Sequence, residues 1–173
     1  MDDQRLSRQQ VAALRADAEQ AAGEVFDRLW DPDVFPVDPF KLAEDYGADV
    51  HLGDIPEDVE GLFRPRGDKY DRDQIWVDTG SSRTRQRFSC AHELGHAVHD
   101  GEKARIDRRR DEVSTRGTDP HEVWANAFAA ELLMPEYAVR QLWKAGADAA
   151  ELARFFWVSG VAMMNRLKNL GLA

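Results

Sequence analysis

The stretch that most restricts this chain is Phe88 to Gly101, FSCAHELGHAVHDG. The chain has five histidines, and His92, His96 and His99 fall within eight residues of it. No proline interrupts Arg83 to His99, and Asp100-Gly101 supplies a stop, so the segment is expected to be one helix. His92, Glu93, Leu94, Gly95 and His96 then spell H-E-x-x-H. Residues four apart share a helix face, so both imidazoles can reach one metal ion. Glu93 lies about 100° round the helix from His92. It is displaced from the ligand face yet near enough to touch a water there. Two ligands and one base are what a hydrolytic zinc site needs. The plainer reading is two surface histidines and a solvated glutamate, since so short a pattern also arises by chance. The flanks argue against it. Phe88, Ala91, Leu94, Gly95 and Val98 are apolar or small, and polar groups set in an apolar helix need partners. Gly95 costs about 1 kcal/mol relative to alanine in a helix, which makes sense if another element packs close there.

Composition narrows the setting. A length of 173 residues suggests one domain with at most a small appendage. No run of 18 apolar residues exists, so no membrane span is expected. The start, MDDQRLSRQQ, is polar and carries acids, unlike a signal or transit peptide. Cys90 is the single cysteine, so no internal disulfide can form, and a reducing, cytoplasmic location is expected. Cys90 lies two residues before His92, so its side chain should point away from the metal face into apolar surroundings. The net charge of -9 argues against nucleic acid as a partner, because that affinity rests on Lys and Arg. The bases gather only in SSRTRQR and ARIDRRR, which read as solvated charge near loops.

Along the chain, Val11, Leu14, Ala18, Ala21, Val25 and Leu29 recur at helical spacing within residues 7–29. The three prolines of WDPDVFPVDPF end that helix, and Asp38-Pro39 starts another that Gly47 closes. ADVHLG, VEGLFRP and DQIWVD read as strands, separated by the turn-rich DIPED and RGDKYDR. After the histidine helix, residues 102–119 read as a charged loop. Asp119-Pro120 starts a helix that runs to Met134, and further helices are expected over 136–145, 149–156 and 160–169. The predicted class is α+β: a small three-stranded, mostly antiparallel sheet packed on a helical core that carries the H-E-x-x-H helix. Residues 1–147 form the main domain, and 148–173 a C-terminal helical hairpin packed on the same core. In the hairpin Leu152, Phe155, Val158, Val161, Met164 and Leu167 follow a helix-turn-helix spacing, with Ser159 as a cap. Arg154, Arg166 and Lys168 against Glu151 are too few charges for a recognition helix. Packing on the core, or docking a protein, fits better than reading DNA.

A catalytic zinc takes three protein ligands and leaves one position open. The extension H-E-x-x-H-x-x-G-x-x-H found in one group of zinc peptidases fails here, because His99 and Glu102 stand at its last two marked positions. The third ligand must therefore lie elsewhere. In DPHEVWANAFAAELLMP, Glu122 and Asn126 share a face, so that Glu122 can complete the site and Asn126 can hydrogen-bond a ligating imidazole. Asp119-x-x-Glu122 is equally a capping-box-like start. Glu131 is a rival carboxylate on the same helix. Spacing alone leaves the matter open, as it does the donor for a developing oxyanion, for which Tyr70, His99, His121 and Tyr137 are candidates.

RQRFSCAHELGHAVH followed by EVWANAFAAELLMP resembles the ImmA/IrrE family of cytoplasmic zinc metallopeptidases. That family shows R-x-R-F-x-x-A-H-E-L-G-H and, some 25 residues later, E-x-x-A-N-x-F-A-A-x-L-L-M-P. VDPFKLAEDYGADV also resembles its opening helix and strand, so the likeness spans residues 36–136. Trp124 departs from it, standing where an acidic residue is frequent. The resemblance implies a zincin-like arrangement in which His92, His96 and Glu122 hold Zn2+, or Mn2+ in its place, and Glu93 is the general base. It implies an endopeptidase whose substrate is a helix-turn-helix transcriptional repressor encoded nearby, cut after a stress or mobile-element signal. The rivals are a metal-containing transcription regulator and a toxin–antitoxin component without protease activity.

Overall fold

The computed structural model describes residues 6–55, 59–67, 69–100, 105–108 and 119–173. The chain order is α1 (Arg8–Leu29), α2 (Pro39–Tyr46), β1 (Ala48–Gly53), β2 (Val59–Arg64), β3 (Asp73–Asp78), α3 (Arg83–Asp100) and β4 (Arg105–Arg108). Then come α4 (Pro120–Leu133), α5 (Glu136–Lys144), α6 (Ala149–Phe156) and α7 (Gly160–Asn169). The α+β class follows, with a small sheet on a helical core.

Local chemistry sets the helix ends. Ser7 and Gln10 form a reciprocal capping box at the start of α1, and Asp148 and Glu151 do the same for α6. Asp38 and Asp119 cap α2 and α4, each followed by a proline whose missing N–H costs nothing at the first helical position. Gly47 closes α2 at φ 121°, a conformation that other residues rarely adopt.

The sheet has the order β1-β3-β2-β4. β1 runs parallel to β3, from Ala48 opposite Asp73 to Gly53 opposite Asp78. β3–β2 and β2–β4 are antiparallel, and the β2–β4 register shifts between Val59 and Gly61. The three expected strands are present. The expected loop at 102–119 needs correcting, because residues 105–108 form a fourth strand; residues 102–104 and 109–118 lie outside the described residues. Nothing periodic in ARIDRRR marks a strand. Without β4, β2 would be an edge with open N–H and C=O groups, and a neighbouring segment satisfies them whatever its own pattern.

Helix α3 packs under β2 and β3, and α4 lies between α3 and α1. Gly95 accounts for the close approach of α3 and α4. A Cβ there would meet Phe128 Cδ1 at 3.1 Å and Ala125 Cα at 3.3 Å. The core runs from Phe63, Ile75 and Val77 of the sheet through Leu94, Phe128 and Leu132 into Leu152, Phe156, Met163 and Leu167 of the hairpin. Two buried arginines join the hairpin to the rest. Arg87 donates from Nη2 to Val37 O (2.6 Å) and from Nε to Trp157 O (3.1 Å), with its guanidinium over the Trp157 ring. Arg166 donates from Nε to Met134 O (3.1 Å) and from Nη1 to Glu19 (2.9 Å), and pairs through Nη2 with Glu131. The buried stripe of the hairpin differs from the helix-turn-helix spacing. Phe155, Val161 and Met164 face solvent, while Phe156 and Met163 are buried beside Leu152, Val158 and Leu167. No helix among the described residues is long and apolar enough to cross a membrane.

Candidate metal centre

One turn of α3 separates His92 from His96, and both are buried. Their Nε2 atoms come to 3.1 Å, with the rings edge to face. Glu122 enters from the first turn of α4. Its Oε2 lies 3.2 Å from His92 Nε2 and its Oε1 lies 3.2 Å from His96 Nε2. Asp119 caps the helix through the N–H of His121 (2.9 Å), and the Glu122 carboxylate lies against the imidazoles. The two readings of Glu122, cap or centre, therefore separate: Asp119 caps, and Glu122 faces the histidines.

Asn126, one turn further along α4, places Oδ1 3.1 Å from His92 Nδ1. With the amide in that orientation Nδ1 carries the proton and donates it, so the Nε2 lone pair points to the centre. This supplies a test of fit. Two imidazole nitrogens 3.1 Å apart repel as lone pairs unless one is protonated or a cation lies between them. Tetrahedral zinc with bonds of about 2.0–2.1 Å separates its donors by about 3.3 Å. The three spacings found, 3.1, 3.2 and 3.2 Å, fit such a donor set. Where His92 and His96 carry protons on the facing nitrogens, their hydrogen bonds and charge outweigh the burial of Glu122 and hold its carboxyl well below the usual range; a cation would take the place of those protons. His92, His96 and Glu122 are thus a cluster able to hold a metal ion.

Glu93 is fully buried and turned toward β2, where its carboxylate lies against the backbone of Gly61. His99 packs at a tilt on Trp124 (ring centroids 4.4 Å) and meets His121 edge-on at 5.5 Å. Trp124 also stacks on Phe128 and donates its Nε1–H to Asp17 (2.7 Å). The departure at position 124 thus builds an aromatic stack that ties α4 to α1 and α3. Tyr70 sits in the β2–β3 turn, bridged to Gly67 with Lys69 over its ring. Tyr137 donates its hydroxyl to Pro32 O at 2.8 Å, so it is engaged with the α1–α2 connector. Glu131, the rival ligand, is held by Arg166 and by the Glu136 N–H. Sequence reasoning passed over Gly61, although a glycine inside a strand is itself a sign of close backbone approach.

The peptidase M78 family model, described as an IrrE N-terminal-like domain, matches residues 43–168. The chain belongs to that family. Among relatives, "Uncharacterized immunity region protein 2" of Bacillus phage phi105 is 31% identical over 106 residues, covering 60% of this chain. The match spans 62% of that relative's length. A solved structure titled "Mycobacterium tuberculosis transcriptional regulator" superposes with a TM-score of 0.55 at 20% identity, over 90% of this chain and 47% of that one. At that identity the likeness speaks for the fold. Membership of the M78 peptidase family implies a metallopeptidase, and the His92–His96–Glu122 cluster could hold the metal of such a protein.

Proposed function

We propose that this M78 member is a zinc-dependent endopeptidase of the cytoplasm that cuts a helix-turn-helix repressor encoded near its own gene. The observation that carries the reading is the meeting of His92, His96 and Glu122 at 3.1–3.2 Å, with Glu93 adjacent on the helix. His92 Nε2, His96 Nε2 and the Glu122 carboxylate would hold the ion, and Mn2+ suits the same nitrogen and oxygen donors. When bound, zinc supplies Lewis acidity toward a peptide carbonyl and toward water. The residues of the chain do the rest. Glu93 takes the proton of the attacking water on a carboxylate oxygen and returns it to the leaving amine nitrogen. Asn126 holds the His92 ring in the tautomer that presents Nε2. Burial of both imidazoles keeps bulk water from competing for them.

The repressor substrate is supported by the relative in the immunity region of a phage. We assign residues 1–147 to the catalytic unit and 148–173 to a hairpin that buttresses it. A DNA-reading hairpin is disfavoured, because Arg166 is buried against Glu19 and Glu131 and the solvent face of α7 offers Val161 and Met164. The deciding experiment measures metal in the purified protein and incubates it with the repressor encoded nearest its gene. Cleavage is expected, with Glu93→Gln keeping its metal and losing the activity. Tight, salt-sensitive DNA binding with no cleavage would instead make the chain a metal-containing regulator. Inactivity against every neighbouring repressor would point to a toxin–antitoxin component.

A further inference from the structure

Gly61 stands in the middle of β2, where glycine weakens a strand. Its φ is not in the left-handed region, so its backbone conformation does not require glycine. What requires it is Glu93. A Cβ built on Gly61 falls 2.4 Å from Glu93 Oε1, 2.9 Å from Cγ and 3.0 Å from Cδ. The overlap involves the stem of the side chain as well as its tip, so a small swing of the carboxylate does not relieve it. Neither wall yields readily. β2 is paired on one side at Gly61–Val77 and on the other at Gly61–Asp107, and Glu60 is tied to Arg85 of α3 at 2.5 Å. Glu93 is fully buried on a helix whose next turn carries His96.

From this we infer that Gly61 is a positioning residue: the missing side chain at 61 is the space that the Glu93 carboxylate occupies, one residue along α3 from His92. The inference rests on the reading of Glu93 as the general base, but the contact can be tested without it. Gly61→Ala, Glu93→Ala and the double variant form a thermodynamic cycle, read as Tm with and without zinc. Gly61→Ala should lower Tm by roughly 3–9 °C when Glu93 is present. With Glu93→Ala the same change should be neutral or stabilising, because alanine suits a strand better than glycine. An equal loss in both backgrounds, including failure to fold in both, would overturn the inference and assign Gly61 to the β2–β4 register shift.

Two further readings separate positioning from structure. Gly61→Ala should keep the zinc content of the unaltered chain, because no ligand is touched. Its kcat on the repressor should fall by about 100-fold with little change in KM, as expected when a reacting group is displaced by an ångström. An unchanged kcat in an otherwise active enzyme would also overturn it. If the unaltered chain cleaves nothing, the enzyme reading fails, and the Tm cycle alone decides whether residue 61 sets where Glu93 lies.

Discussion

Helix α4 carries two partly buried carboxylates, and its two ends treat them differently. Glu131, near the C-terminal end, meets the fixed cation of Arg166, which also holds Glu19 and the carbonyl of Met134. Glu122, in the first turn, meets two imidazoles whose nitrogens face each other. One cluster contains its own permanent positive charge. The other gathers a carboxylate and two imidazole nitrogens into a donor set that could hold a charge from outside. Burial raises the Glu131 carboxyl more than Arg166 lowers it. A partly buried acid thus serves as a structural fastener at one end of α4 and is a candidate ligand at the other.

Exchanging each carboxylate for its amide breaks the comparison most directly. Glu122→Gln removes the anionic donor and should weaken zinc binding by more than about 100-fold, beyond what loss of an outer partner costs. Glu131→Gln should leave zinc affinity within about twofold, since it lies in the other cluster and distant changes act independently. Chelator competition measures both. Equal losses would mean that the two ends of α4 are not distinct.

The converse change acts on stability. Arg166→Met strands Glu131 and Glu19, and removing one partner of a buried pair costs about 3–5 kcal/mol. For a chain of this size that is a fall in Tm of roughly 6–20 °C. Zinc stoichiometry in the folded protein should stay the same. A Tm shift under 2 °C, roughly the effect of losing a surface pair, would show that Arg166 is dispensable.

An intermediate effect belongs to Asn126. Asn126→Ala should weaken zinc binding by about 10–100-fold, as is usual when the partner that orients a ligating imidazole is lost. Asn126→Asp keeps the acceptor and should restore most of it. Equal weakening in both would mean that the 3.1 Å contact with His92 Nδ1 does not orient the ring.

The metal end of α4 was more legible in the sequence than its other end. H-E-x-x-H places two candidate ligands one turn apart by helical period, and Gly95 announces the neighbour that packs on it. Spacing left Glu122 and Glu131 level, because what separates them is Arg166, 35 residues beyond Glu131 in the chain. Arg166 itself counts in the sequence only as one of the hairpin's few charges, since nothing local reveals that Glu19, Glu131 and the Met134 carbonyl await it. The buried stripe of the hairpin departs from its sequence spacing for a related reason. Phe155 and Phe156 are adjacent and equally apolar, and only the core of the rest of the chain selects Phe156. Strand β4 carries no pattern of its own, because its pairing answers an open edge elsewhere.

The smallest effect is expected at Cys90, a buried group beside the centre that belongs to neither kind of cluster. It lies two residues before His92, yet its Sγ faces Pro39 O at 3.5 Å. Burial, helped by Asp38, Glu93 and Glu44, raises the thiol well above its ordinary range, so little thiolate exists at neutral pH. Iodoacetamide should therefore leave the folded protein unlabelled and react only after denaturation, as mass spectrometry would show. Cys90→Ala should cost about 1 kcal/mol of packing and leave zinc content unchanged. Rapid labelling in the native state, or loss of metal in Cys90→Ala, would place the thiol in the centre and blur the division between ligand and fastener. Protection with full metal content would confine the centre's donors to the facing sides of α3 and α4.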